Sequence, residues 1–330
     1  MRIDELWTAM EAEAGYGGAW WLRLVRPDAS CPLFAAMETS TRRRGILLRL
    51  PQSDIPSRRR WPRCQGLEPI ALEIDGSAHF GVILKEERFA DVFSALTEDL
   101  IRRVGTAATP PEQAQAFLGQ LARWQKFLTA SSDGLTEEAE RGLWGELYVV
   151  RRHLLPLLGS SAITAWKGPQ GAQQDFQFPT GALEVKTTLA KQPQVVRITS
   201  ERQMDASLWS ALFLCVIALD SREGEGDSLP AMVGAVRGML QPDASAREAF
   251  EDGLLAAGYL DVHSRLYADR GYLVRSERFF QVGPEFPAIV ENKLPRGVGS
   301  VNYGLAIEAC EHFGISVEMV INTLKHESPA

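Results

Sequence analysis

Histidine, cysteine and lysine are all sparse in this 330-residue chain. The five histidines, His79, His153, His263, His312 and His326, show no H-x-H or H-E-x-x-H spacing, so they supply no transition-metal ligand set. The four cysteines, Cys31, Cys64, Cys215 and Cys310, form no CxxC pair and have no nearby histidine. That excludes a zinc ribbon and gives no disulfide framework, and makes a reducing cytoplasm the expected location. The first 18 residues carry four acids and no apolar stretch of the signal-peptide kind, and the longest apolar run, Ala211 to Leu219, is too short to span a bilayer. No membrane partner is expected. The glycine-rich stretches near Gly15 and Gly297 lack the GK[ST] of a phosphate-binding loop, so no nucleotide-hydrolysis motor is expected in this chain, and any ATPase it works with would be a partner protein. A net charge of -7 argues against coating nucleic acid by bulk electrostatics, which needs clustered Lys and Arg.

What is present is a globular composition, 45% apolar and 23% charged, in a chain long enough for two or three cores. Residues 1–108 read as a small α+β unit: strand-like runs AWWLRLV, LFAAMET, RGILLRL and LEPIALEI lead to a helix near Arg88 to Arg103, where Phe89, Val92, Phe93, Leu96 and Leu100 recur at helical spacing. Residues 109–135 read as a linking helix, begun by Pro110 and Pro111, and an SSDG loop. Residues 136–222 read as helix, hairpin, strand, helix, strand. Residues 223–330 read as an α+β extension that completes the same domain, with a strand AMVGAVRG, a helix over Ala244 to Ala257, and strand-like runs YLVRSERFFQV, SVNYGLAIEA and ISVEMVINTL.

The chemistry concentrates in the third segment. Thr136 can cap a helix with Glu137 and Glu138 in its first turn and Leu143, Leu147, Val150 and Leu154 as one apolar stripe. Glu146 sits on the border of that stripe. It is either a partly desolvated carboxylate that requires a cation or donor, or a side chain that reaches solvent or pairs with Arg151 or Arg152. In DFQFPTGALEVKTT, strand parity puts Phe176, Phe178, Leu183 and Val185 on one side and Asp175, Gln177, Glu184 and Lys186 on the other. Pro179, Thr180 and Gly181 supply a turn, so the hairpin brings Asp175 within a residue or two of Glu184 and Lys186. Two neighbouring carboxylates can hold a hard divalent cation, and a lysine beside them can orient a water or offset charge developing on a phosphoryl group. Lysine numbers seven against 28 arginines, so position 186 is not the chain's usual way of placing positive charge. The other reading is a surface strand in which E-x-K is a solvent-facing ion pair.

At these residues the chain resembles the PD-(D/E)XK nuclease superfamily, with its restriction-endonuclease-like fold. WGELYVV, DFQF, LEVKTT and ITSERQM look like a bacterial branch found among restriction and phage-defence genes; the resemblance is strongest over 136–221 and extends weakly through FFQV and VNYGLAIEAC. It implies an α/β core in the order α-β-β-β-α-β around a central mixed sheet flanked by helices. Glu146 corresponds to the helix glutamate, Asp175 to the first metal-binding acid, and Glu184 and Lys186 to the (D/E)XK pair. Gln174 replaces the motif's proline. Gln203, on the helix expected after the third strand, is either a site residue or the far end of a capping box begun by Ser200. Thr188, on the parity of Glu184 and Lys186, could touch phosphate.

The expected activity is Mg²⁺- or Mn²⁺-dependent hydrolysis of a DNA phosphodiester within a bacterial defence system, alongside other proteins of the operon. Asp175, Glu184 and the Val185 carbonyl would be metal ligands, Glu146 a second-metal or lysine-orienting carboxylate, and Lys186 the water-positioning or charge-stabilising group. The alternative is an inactive nuclease-fold subunit that binds DNA or scaffolds a complex; there Lys186 would be held in an ion pair or the acids splayed apart. A second basic region holds Arg42, Arg43, Arg44, Arg49, Arg58, Arg59, Arg60 and Arg63, with Trp61 among them and Asp54 the only acid between. It reads either as a DNA-backbone contact with Trp61 stacking on a base or as a solvated loop.

Overall fold

The computed structural model describes residues 3–13, 18–25, 31–62, 66–130 and 134–325. Arg63, Cys64, His326, the GYGG glycines at 15 and 17 and the loop at 131–133 lie outside the described residues. The chain divides into two compact units, residues 1–133 and 134–330.

In the first unit, α1 (Ile3–Ala12) buries Ile3, Leu6, Trp7 and Met10, the i, i+3, i+4, i+7 face of a helix. It lies on an antiparallel sheet of order β1-β2-β3-β5-β4, formed by β1 (Trp20–Leu24), β2 (Leu33–Glu38), β3 (Arg44–Arg49), β4 (Leu67–Ile74) and β5 (Ser77–Leu84). Strand β5 has no counterpart in the sequence reading. Its last six residues are all buried, so it shows no alternation, yet it follows an Asp75-Gly76 turn in which both residues have positive φ, the geometry that favours Asp-Gly in two-residue hairpins. Helix α2 (Ala90–Val104) and helix α3 (Pro110–Ala130) complete the unit. Glu112 accepts from the Thr109 and Ala108 N–H groups at the start of α3, a capping box with two prolines inside it. Helix α3 packs inside this unit: Phe117 stacks edge-on against Phe80, and the Trp124 indole donates to the buried Asp99 carboxylate at 3.0 Å.

The second unit begins as the spacing predicts. Thr136 Oγ1 accepts from Ala139 N at 3.2 Å and starts α4 (Glu137–Val149); Leu143, Leu147, Val150 and Leu154 are all buried. A π turn over Val150–Leu154 leads into α5 (Leu155–Leu158) and then α6 (Ser161–Ala165). The central sheet has the order β10-β11-β9-β7-β6, with β6 (Phe176–Phe178), β7 (Gly181–Thr188), β9 (Leu212–Glu223), β10 (Asp227–Ser228) and β11 (Arg270–Val282). The pair β7 and β9 is parallel and the others antiparallel, so the sheet is mixed, as expected. One face carries α4, α7 (Leu229–Met239) and α8 (Ala244–Ala257), packed over Leu183, Val185, Phe213, Cys215 and Ile217. Ala182, Leu214 and Val216 face the other way, toward a two-stranded sheet of β8 (Val195–Ile198) and β12 (Tyr303–Ala306). Strand β13 (Gly314–Ile315) pairs with β11, and α9 (Val317–Lys325) closes the described chain. From the β11 bulge, Arg275 donates to the carbonyls of Leu219, Leu189 and Ala190 at 3.1, 3.2 and 2.8 Å.

Four local expectations are corrected. AMVGAVRG is helix α7: Ser228 caps it, and Leu229, Met232, Val233 and Val236 form a helical stripe. ISVEMVINTL is mostly helix α9, capped by Ser316 and burying Val320, Ile321 and Leu324; in both segments β-branched residues at helical spacing imitate a strand. SVNYGLAIEA is a strand only over Tyr303–Ala306 and then coils into a 3₁₀ segment, Ile307–Phe313. No helix forms at ITSERQM, which is a run of turns between β8 and a 3₁₀ turn at Ala206–Leu208, so the core order departs from α-β-β-β-α-β at its fifth element.

Gly145 sets how closely α4 approaches the sheet, because a Cβ there would come 2.3 Å from Thr187 Cγ2 on β7. Gly145→Ala should therefore destabilise the protein by about 1–3 kcal/mol, the usual cost of overpacking, read as a lower urea midpoint with unchanged slope. An unchanged midpoint would show that helix and strand can separate freely.

Candidate active site

Strand β7 continues to Thr188 past its last pairing with β6, Phe176 opposite Leu183. Its next backbone N–H on that edge, Val185 N, is taken instead by a side chain: Asp175 Oδ2 accepts it at 2.8 Å. In an extended strand the N–H and C=O of one residue point to the same edge, so the Val185 carbonyl also faces this opening. The Asp175 main chain is held in turn, its carbonyl accepting from Lys167 N and Gly168 N at 2.7 and 3.0 Å. One register step past Phe176 and Leu183, Asp175 stands opposite Glu184, which is 1% exposed. Lys186 Nζ lies 2.6 Å from Glu184 Oε1, and the Asp175 N–H faces the same buried carboxylate.

Glu146 reaches this edge from α4. Arg151 is paired with Asp227 instead, and the Glu146 partner is the Trp166 indole, which donates to Oε2 at 2.6 Å. Asp175 Oδ1 and Glu146 Oε2 both close on Gly168, 2.8 and 3.3 Å from the point a Cβ would occupy there.

Burial first, then the neighbouring Asp175, push the Glu146 carboxyl well above its ordinary value; the Trp166 hydrogen bond opposes this. Burial raises Asp175 against the pull of Lys186 and the Val185 N–H. Burial and Asp175 together raise Glu184 from 4.5 to about 8. For Lys186 burial disfavours the ammonium, but Glu184, Asp175 and Glu146 outweigh it and hold its pKa above the usual lysine value. One ammonium thus faces three crowded carboxylates, and the site as a whole favours additional positive charge.

The donors are hard oxygens from Asp175, Glu184 and the Val185 carbonyl. Among the described residues no three acidic, histidine or cysteine groups already form a ready-made metal cage. A pair of carboxylates with a carbonyl is nevertheless the kind of partial shell that Mg²⁺ accepts while keeping several waters, and the crowding of carboxylates around a single ammonium supplies the attraction for it. The residues fit a hard divalent cation.

The structure brings Glu146, Asp175, Glu184 and Lys186 together. It gives the remaining candidates other partners. Gln203 Oε1 accepts from Thr199 N at 2.9 Å and Thr199 Oγ1 at 3.2 Å, a capping contact one residue away from the Ser200 box, made without a helix. The Thr188 hydroxyl is buried, donating to Val195 O and accepting from Ala190 N, so it is not turned toward a phosphate. Gln174, where the motif has proline, is a tie: its amide donates to Arg202 O and Gln203 O and accepts from the Trp209 indole. In the first unit, Arg43 and Arg44 pair with Glu38 and Glu11, and Arg42 lies against Met37 Sδ. Trp61 packs beside Phe80 and donates to Pro56 O, which removes it as a free stacking platform. Arg58, Arg59 and Arg60 form one exposed 3₁₀ turn. Sequence reasoning missed Trp166 and Gly168. Trp166 acts on a residue 20 positions away, and Gly168 acts through an absent side chain, so neither leaves a local pattern.

A family model described as "Putative PD-(D/E)XK family member" matches residues 3–308. The chain belongs to this PD-(D/E)XK family. The match covers nearly all of both units, so the first unit is part of the family's common architecture, and the mixed sheet flanked by helices agrees with that fold. Family membership makes the protein nuclease-like. No curated protein and no solved structure matches the chain.

The raised Glu184 carboxyl has a sign that can be tested. A group with a higher pKa in the folded state stabilises below its unfolded value, 4.5, and loses that contribution as pH rises through about 8. In cation-free buffer, Glu184→Gln should therefore become progressively more stable relative to wild type between pH 4.5 and 8. A difference in thermal midpoint that stays flat across that window would count against the buried, cation-seeking carboxylate.

Proposed function

We propose that the protein is a Mg²⁺-dependent (or Mn²⁺-dependent) DNA endonuclease of a bacterial restriction or anti-phage defence system, acting in the cytoplasm with other proteins of that system. The observation that carries this reading is the convergence of Asp175, Glu184 and Lys186 at the unpaired edge of β7, with Glu146 completing the group. When bound by Asp175, Glu184 and the Val185 carbonyl, the divalent cation would act as a Lewis acid on the phosphodiester and lower the pKa of a water. Lys186 holds its proton and presents an ammonium to the same edge, where it orients the attacking water and offsets charge on the phosphoryl oxygens. Because Lys186 contacts Oε1 of Glu184, Oε2 stays available for the cation. Glu146, fixed by Trp166, supplies the third carboxylate for a second cation or for orienting the lysine. The exposed turn Arg58–Arg60 supports a phosphate contact in the first unit.

The 2.6 Å contact between Lys186 and Glu184 also favours a second reading, an inactive nuclease-fold subunit that binds DNA or scaffolds a complex with the lysine locked in an ion pair. Cleavage separates the two. In the purified protein, or in its complex with the defence partners, Asp175→Ala and Lys186→Ala should each lower Mg²⁺-dependent DNA cleavage by about 10²-fold or more while leaving DNA affinity in place. Cleavage that survives both substitutions would overturn the assignment, and a wild-type protein that binds DNA without cutting it would establish the second reading.

For the first-unit contact, replacing Arg58, Arg59 and Arg60 together with alanine should weaken DNA binding uniformly across sequences. It should also reduce the slope of log K against log salt by ~0.9 for each phosphate that is no longer neutralised. An unchanged slope would remove this turn from the interface.

A further inference from the structure

Two residues beside the carboxylates touch them directly. Trp166 is 1% exposed and follows directly on α6. Its backbone bridges to Phe176, its ring lies 5.7 Å from Phe250, and Gly253 makes room for it, since a Cβ there would stand 2.5 Å from the ring. Held on these sides, the indole cannot swing, and its one donor is aimed at Glu146 Oε2. A buried indole needs an acceptor: in this unit Trp144 finds the Asp227 carbonyl and Trp209 the Gln174 side-chain amide, and in the first unit Trp124 finds the Asp99 carboxylate. Here the acceptor is a carboxylate that burial and Asp175 already disfavour as an anion.

Gly168 follows two residues later. Its φ is not in the left-handed region, unlike Gly171 at 79°, which has open space where a Cβ would go. The backbone therefore does not demand glycine at 168. What excludes a side chain is the site itself: a Cβ would stand 2.8 Å from Asp175 Oδ1, 3.2 Å from Asp175 Cα and 3.3 Å from Glu146 Oε2. The same turn donates the N–H groups of Lys167 and Gly168 to the Asp175 carbonyl. One short segment thus touches both acids, one through its side chain and the other through its main chain.

We propose that Trp166 and Gly168 are positioning residues for the site: the indole N–H fixes the direction of the Glu146 carboxylate, and the bare Cα at 168 lets the Asp175 and Glu146 carboxylates close together over the turn. That these carboxylates hold a divalent cation rests on the nuclease reading; the positioning itself does not. Outer-shell hydrogen bonds of this kind orient ligating groups, and their loss costs roughly 10–100-fold in metal affinity.

The test is a ¹H–¹⁵N correlation spectrum of the eight tryptophan indoles in the full-length protein, with the Trp166 signal assigned by its loss in Trp166→Phe. That signal should lie downfield, move upfield in Glu146→Gln, and shift again in Gly168→Ala, while the other indole signals stay in place and report an intact fold. Addition of Mg²⁺ should move it in wild type and fail to do so in Asp175→Ala. By calorimetric titration, Trp166→Phe should bind Mg²⁺ roughly tenfold or more weakly than wild type. A Trp166 signal indifferent to both Glu146→Gln and Gly168→Ala would overturn the proposal. If Gly168→Ala does not fold, Glu146→Gln alone decides it. A signal that answers both substitutions but ignores Mg²⁺ would uphold the positioning and overturn the cation reading.

Discussion

The desolvation of like charges at an interrupted strand edge governs this structure. Asp175 takes the place of a missing strand neighbour by accepting the Val185 N–H, and that one hydrogen bond brings its carboxylate close to the buried Glu184. A buried carboxylate is costly unless it is met by a donor or a cation. Here three crowd together against a single ammonium. The rest of the second unit accommodates that concentration: Gly145 lets α4 approach so that Glu146 arrives from the side, Trp166 supplies a neutral donor, and the turn at Lys167–Gly168 grips the Asp175 main chain. Core residues such as Leu183, Phe213 and Ile217 stabilise the fold by burial, and part of that gain offsets the electrostatic cost of the edge.

Much of the site is legible in the sequence, and for definite reasons. Strand parity is rigid, so DFQF and LEVKTT place Asp175, Glu184 and Lys186 on one side whatever the details of the turn. The position of Glu146 at the rim of the α4 stripe follows from the helical repeat in the same way. The errors also have physical origins. Val233, Val236, Val320 and Ile321 are β-branched, and their composition masks a helical spacing that Ser228 and Ser316 announce as capped starts. Strand β5 is buried on both faces and offers no alternation, only the Asp-Gly turn before it. At ITSERQM the side chains of Ser200 and Gln203 cap turns instead of a helix, which local hydrogen-bonding side chains permit equally well.

Trp166, Gly168 and Gln174 belong to another class. Each contributes through a contact that exists only once distant segments have met: an indole to a carboxylate, a clearance between two acids, an amide spread over three partners. Spacing rules describe what one element does to its own face. They are silent about a donor arriving from a neighbouring turn or about a side chain whose absence is the point. The motif's proline position shows this well, since Gln174 ties the entry of β6 to the turns after β8, a role that no reading of DFQF alone could assign.

The Arg275 clamp bears on how the site can be reached. By bonding to Leu219 on β9 and to Leu189 and Ala190 just past β7, it ties the two strands together immediately beyond their last pairing, Thr188 opposite Ala218. Proteins often admit ligands through segments that open locally at low cost, and that route is shut where the charged strand is pinned at its tip and packed on both faces. The flank of β7 left unpaired beyond Leu183 is the side that Asp175 and the Val185 carbonyl face, so the shape of that flank acts as the doorway.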